Sequence, residues 1–180
     1  MMANPRIRPI VNLVVALCFS FGLQAAVASS ADDYVGEASA FIAKGEVKSA
    51  VIQLKNALQS DPSHVQARLM LASLYLGTGE GAAAAKEFRR ARDLGAPGEE
   101  WLPGYARALM LEGEFNAVLE EVQVDDGLPQ AQRAELLAIR GNANLATRQV
   151  EAATRDYDAA LELESGNPVA RLGKARILLS

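Results

Sequence analysis

Apolar residues recur three and four positions apart along most of the chain, with polar residues filling the gaps. Val51, Leu54 and Leu58 form one such stripe, and Leu71, Leu74 and Tyr75 another. That spacing gathers apolar side chains on one face of a helix and predicts amphipathic α-helices rather than strands. Start and stop signals punctuate the stripes. Ser63-His64-Val65-Gln66 reads as a capping-box start, and Asn167-Pro168 sets a cap before a proline at the first helical position. Gly45, Gly79 and Gly113 fall where a helix must stop and reverse, because glycine accepts the left-handed backbone that closes a helix there.

The elements repeat. Ala50, Ala84 and Val118 are 34 residues apart, as are Ala57 and Ala91, Phe41, Tyr75 and Leu109, and the three glycines. After one extra residue the series resumes at Gly141, Ala153, Tyr157 and Ala160. The units are residues 31–64, 65–98, 99–133 and 134–167, each a pair of helices, with 168–180 supplying the first helix of a fifth. The third unit is degenerate: its second-helix signature fades after Val122 and runs into Asp125-Asp126-Gly127-Leu128-Pro129, which predicts a short helix and an irregular turn. Leu172, Ile177, Leu178 and Leu179 then lack the helix that would cover them, which leads us to expect a longer array continued beyond Ser180.

These units resemble the tetratricopeptide repeat (TPR) from residue 31 onward. In that family three positions of each unit are small because helices cross closely there. Here they are Ala38, Ala50 and Ala57; Ala72, Ala84 and Ala91; Ala106, Val118 and Asp125; and Gly141, Ala153 and Ala160. Ten of the twelve are Ala or Gly, although those two residue types make up only 47 of the 180 residues. Glu37, Arg68 and Arg140 depart from the pattern at usually apolar sites, and Asn144 replaces an aromatic. The resemblance implies an all-α fold, a right-handed superhelical solenoid of antiparallel helix pairs whose first helices line a concave groove for a protein or peptide partner.

By the same resemblance, the residues facing that groove are Val35, Ser39 and Ile42 in the first unit and Leu69, Ser73 and Leu76 in the second. Pro103, Arg107 and Met110 follow in the third, and Ala138, Asn142 and Leu145 in the fourth, with Leu172, Arg176 and Leu179 beyond them. Two rows are largely apolar and flank a more polar one. Such a surface suits a peptide with apolar side chains, with Ser73, Arg107 and Asn142 free to bond its backbone or a carboxylate. Co-chaperones of the family grip a C-terminal carboxylate with lysines and asparagines. Only Asn142 matches that pattern, so a chaperone-tail receptor is not expected.

The first thirty residues differ from the rest. Arg6 and Arg8 precede a run from Ile10 to Leu23 that is apolar apart from Asn12 and Ser20, and Ala26 and Ala28 supply small residues before a cut. This is the pattern of a secretory signal peptide over residues 1–28. An uncleaved anchor spanning Ile10 to Ala28 is the second reading, and lipidation of Cys18 the third, with Leu17 standing where a small residue is expected. Either way the expected location is the periplasm or envelope of a Gram-negative bacterium, and any membrane contact runs through this segment.

A closer resemblance points the same way. Residues 50–58 and 88–97, continued by Leu102-Pro103 and Ala106-Arg107-Ala108-Leu109, look like the N-terminal repeats of the large TPR-repeat lipoprotein of the exosortase/PEP-CTERM sorting and exopolysaccharide system. That likeness implies a scaffold in an envelope assembly. The alternatives are another periplasmic TPR adaptor, or the repeat region of an enzyme whose catalytic domain lies further along.

Composition narrows the chemistry. Alanine and leucine together supply 56 residues, against five Phe, four Tyr and one Trp, a mix that favours helix over a β-sandwich. One cysteine and one histidine leave no CxxC, no HExxH and no three-ligand metal cluster, so no cofactor is expected. The net charge of −4 argues against a nucleic-acid binder. Loss of residues 1–28 would deepen it to −6, from 16 basic and 22 acidic residues. His64 reads as a solvated turn histidine, Asp125-Asp126-Gly127 as a polar turn, and Glu99-Glu100 as first-turn acids that favour a helix dipole. No active site is expected.

Overall fold

The computed structural model describes residues 30–179, so the proposed signal segment lies outside the described residues. Those residues form nine α-helices: α1 (Ala31–Ala43), α2 (Val47–Ser60), α3 (Val65–Gly77), α4 (Gly81–Asp93), α5 (Gly98–Glu112), α6 (Phe115–Glu121), α7 (Gln130–Ala146), α8 (Val150–Leu163) and α9 (Pro168–Leu178). Among the described residues there is no strand, and no helix is long and apolar enough to cross a membrane.

Each odd-numbered helix packs on the even-numbered helix that follows it. The odd-numbered helices also touch one another in series (α1 on α3, α3 on α5, α5 on α7, α7 on α9), whereas α2, α4, α6 and α8 make no mutual contact. Helices that touch only along one side of a stack force it to curve toward that side. The odd-numbered helices are therefore the inner wall of a solenoid.

The small residues explain how close the crossings are. Ala38, Ala50, Ala57, Ala72, Ala84, Ala91, Ala106, Val118, Ala153 and Ala160 are all completely buried, and Gly141 is buried with them. Asp125 is the exception; it is exposed in the irregular stretch between α6 and α7. That stretch still anchors itself through buried Val122 and Leu128. The short helix expected before it is α6, only seven residues long. A helix of that length is marginal alone. Buried Val118 holds it, and so does Tyr105 of α5, whose hydroxyl donates to Glu121 at 2.6 Å and accepts from Arg89 at 2.8 Å.

Where one unit meets the next, large residues face small ones. The ring of Phe88 lies against Gly104, where an added Cβ would come within 2.3 Å of it. Tyr157 sits between Gly141 of α7 and Gly173 of α9, where a Cβ would approach its ring to 2.5 Å and 2.2 Å respectively. At the other two junctions the glycine's repeat position carries a larger residue, Met70 or Ile139. Leu54 shares a cluster with Met70, and Val122 shares one with Ile139. Each side chain fills what its partner leaves, as dense interiors require.

The turns follow the glycines. Gly45, Gly79 and Gly113 have φ of 75°, 82° and 74°. The corresponding residue in the fourth unit is Arg148, which is held in the left-handed region at φ 63°. Asn167 caps α9 by accepting from the Ala170 amide, with Pro168 at the first turn, as the sequence predicts. The start of α3 differs from expectation. His64, not Ser63, is the cap: its Nδ1 accepts from the Ala67 amide at 3.2 Å and its Nε2 meets Asp32 of α1 at 3.0 Å. The Ser63 hydroxyl instead donates to Asp61. His64 thus ties two helices together rather than standing in solvent.

Glu37 is exposed on α1, whereas the other three polar departures from the repeat pattern find partners. Arg68 is buried and donates to Glu87 at 2.7 Å and to the Pro62 carbonyl, while Glu87 also accepts from Arg90. Arg140 and Asn144 both donate to Asp156 at 2.8 Å. Burial pushes the Asp156 carboxyl above its ordinary range, opposed by the Arg140 charge and the Asn144 hydrogen bond.

Candidate binding groove

Three hollows run along the inner wall. The first, about 410 Å³, is lined by Ile42 of α1, by Gln66, Leu69, Met70, Ser73 and Leu74 of α3, and by Glu100 of α5. The central hollow, about 590 Å³, shares Ser73 and Glu100 and adds Leu76, Pro103, Gly104 and Gln132 among others. A third, about 380 Å³, shares Arg107 and Glu135 with the central one and continues along Met110, Ala138, Ile139, Asn142 and Val169. Shared walls make the three one groove, apolar at both ends and charged in the middle.

Nine of the fifteen residues expected to face a partner line this groove: Ile42, Leu69, Ser73, Leu76, Pro103, Arg107, Met110, Ala138 and Asn142; Leu172, Arg176 and Leu179 line none of the three hollows. Val35 and Leu145 line none of the three hollows and pack against hydrophobic clusters. Ser39 is exposed and donates to the Val35 carbonyl. The polar row is less available than its sequence suggests. The Ser73 hydroxyl donates to the Leu69 carbonyl, Asn142 Oδ1 accepts from Tyr157 at 2.8 Å, and Arg107 is engaged by Glu135 at 2.5 Å. The Ser73 hydroxyl proton and the Arg107 guanidinium are thus engaged within the chain, whereas the side-chain NH2 of Asn142 keeps its donors.

A proline shapes the middle of the groove. Pro103 lies inside α5 and has no N–H, so the carbonyl of Glu99, four residues earlier, loses its helical donor. Gln132 of α7 replaces that donor: its Nε2 reaches the Glu99 carbonyl at 3.1 Å. This fixes the side-chain amide and leaves Gln132 Oε1 buried on the groove wall without a partner. Beside it stand Glu99 and Glu100, whose carboxylates have no hydrogen-bond or ion-pair partner among the described residues. Their place in the sequence predicts only first-turn acids that favour the helix dipole. Their position in the groove follows from how α5 docks between α3 and α7, which local spacing does not show.

Chemically the groove offers shape, apolar walls and charge. Among the described residues no three His, Cys, Asp or Glu side chains are grouped to hold a metal ion.

Residues 35–99 match the tetratricopeptide repeat family. The match covers α2, α3 and α4 whole and most of α1. Among solved structures, the chain is similar to one from a functional characterization of Pseudomonas aeruginosa pilF: 24% identity over 83% of this chain and 68% of that one, with a TM-score of 0.65. A second is YrrB, described as a TPR protein with an unusual peptide-binding site, at 15% identity over 81% of this chain and 92% of that one, with a TM-score of 0.48. No curated protein matches the sequence. The fold is a TPR-type helical solenoid, as the repeat spacing implies.

Proposed function

We propose that this protein is a non-catalytic, exported scaffold that holds a segment of another protein in its inner groove. The observation that carries this reading is the continuous groove across α1, α3, α5, α7 and α9, with apolar walls at both ends. A rigid concave surface built from stacked helices is pre-organised, so little ordering entropy is lost when a chain segment settles into it. The N-terminal pattern of basic start, apolar run and small residues supports export. The likeness of residues 50–58 and 88–97 to the exosortase/PEP-CTERM scaffold supports a place in envelope protein sorting or exopolysaccharide assembly.

The test is site-specific photo-crosslinking in native cells. A crosslinking residue at Ile42 or Met110, inside the groove, should give discrete adducts. The same residue at Ile52, which is 58% exposed on the outer helix α2, should give none. Equal adducts at all three sites would refute the groove. Alkaline phosphatase fused after Ser180 should be active, since that enzyme matures only outside the cytoplasm.

A further inference from the structure

The groove carries an unbalanced charge. Its ionisable lining residues are Glu99, Glu100 and Glu135 against a single arginine, Arg107. Arg107 and Glu135 cancel through their 2.5 Å ion pair. Two carboxylates remain, both unpaired, and both on the central hollow. Gln132 adds a third unmet acceptor, because its N–H is already spent on the Glu99 carbonyl. Opposite-sign charge is what such a site would have to meet, since a second acidic group placed there would be repelled and desolvated without compensation.

On either side the walls turn apolar. Toward α1 the groove presents Ile42, Leu69 and Met70, and toward α9 it presents Met110, Ile139 and Val169. The order along the groove is therefore apolar, acidic, apolar.

From this order, and resting on the groove reading above, we infer that the partner is a peptide segment with a lysine or arginine set between two apolar side chains. The cation meets Glu99 and Glu100 in the central hollow, and the flanking side chains fill the end hollows. This is opposite in sign to capture of a C-terminal carboxylate. It also separates the groove from the surfaces around it: Arg89 and Arg92 are tied to Tyr105, Glu121 and Asp93 near α4 and α6, and do not line it.

The experiment is selection from a displayed library of random dodecapeptides against the 180-residue chain and against its Glu99→Gln/Glu100→Gln variant. Both positions are exposed in a helix that keeps its buried face, so the variant leaves the fold intact. The wild type should enrich Lys or Arg flanked by apolar residues, and the variant should lose that enrichment. A selected peptide, synthesised and titrated by fluorescence anisotropy, should bind the variant about fivefold more weakly and show a reduced salt dependence. Selection of apolar peptides with no basic residue, or of acidic ones, overturns the inference and leaves the groove reading standing. Selected basic peptides that still bind a Met110→Glu variant as well as the wild type overturn both.

Discussion

Tyr157 is clamped from two sides, and this makes Gly141→Ala a sharp test of the packing. In most helix interiors that change is favourable, since alanine exceeds glycine in helix propensity by about 1 kcal/mol. At Gly141 the new Cβ would lie 2.5 Å and 2.6 Å from two ring carbons of Tyr157 and 3.0 Å from a third. The ring cannot retreat. It is completely buried, its hydroxyl is bound to Asn142 at 2.8 Å, and on its far side a Cβ at Gly173 would already be within 2.2 Å. Overpacking of this kind costs about 1–3 kcal/mol, and the clamp puts Gly141 at the upper end. Setting the helix gain against it leaves a net loss of about 2 kcal/mol. For a chain of this size that lowers the melting temperature by about 4–8 °C. Gly36 is the control: it lies in the interior of α1 with no atom within 4 Å of an added Cβ. There the same substitution should raise the melting temperature by about 2 °C. Circular dichroism at 222 nm reads both variants. Equal shifts of the same sign at the two sites would refute the close approach of α7, α8 and α9 around the ring.

Arg148→Gly should stabilise the protein by about 0.5–1 kcal/mol in urea titrations, because it relieves a left-handed arginine while adding glycine's unfolded-state entropy. The converse, Gly79→Ala at φ 82°, should destabilise by about 1–2 kcal/mol although nothing crowds the new methyl. Glu87→Ala should cost about 3 kcal/mol by the same titration, since it leaves Arg68 buried with only the Pro62 carbonyl as partner. Asp156 gives a pH signature. Its folded-state value is raised above the ordinary 3.8, so the native state takes up the proton first as pH falls. Its contribution therefore becomes more favourable as pH drops through the raised value toward 3.8, and flat below it. The stability difference between wild type and Asp156→Asn, followed by urea titration against pH, should shift in favour of wild type across that window; the opposite slope would refute the burial argument.

The inner architecture was readable because its cause is local and repeated. Close helix crossings demand small residues, and alanine or glycine every 34 residues reports that demand directly. Partnerships between distant residues were harder to see. His64 read as solvated because histidine is not a usual cap and Asp32, its partner, is thirty-two residues away. Arg68, Arg140 and Asn144 read as blemishes in the pattern. Their acids, Glu87 and Asp156, carry a signal that could have been found: each stands immediately before the aromatic residue of its unit's second helix, Phe88 or Tyr157. The polar row of the groove was legible as a position but not as a state. Nothing in the spacing says that Arg107 will be neutralised by Glu135, or that a proline will recruit Gln132 and leave two glutamates as the unpaired charges.

The alternation of large and small residues at the junctions has a consequence for the order of the units. If every junction were built alike, repeats could be exchanged, duplicated or deleted with little penalty, as in arrays made from one consensus. Here an aromatic ring faces glycine at two junctions, while at the others, after Leu54 and Val122, the glycine's repeat position is taken by Met70 and Ile139. Moving the second unit in front of the fourth would drive Phe88 into Ile139. Moving the third unit ahead of α9 would leave Val122 facing Gly173 across a void. The volumes at the seams thus act as a key that fixes which unit follows which, and an array spliced out of sequence would fail at its joints before it failed within any repeat.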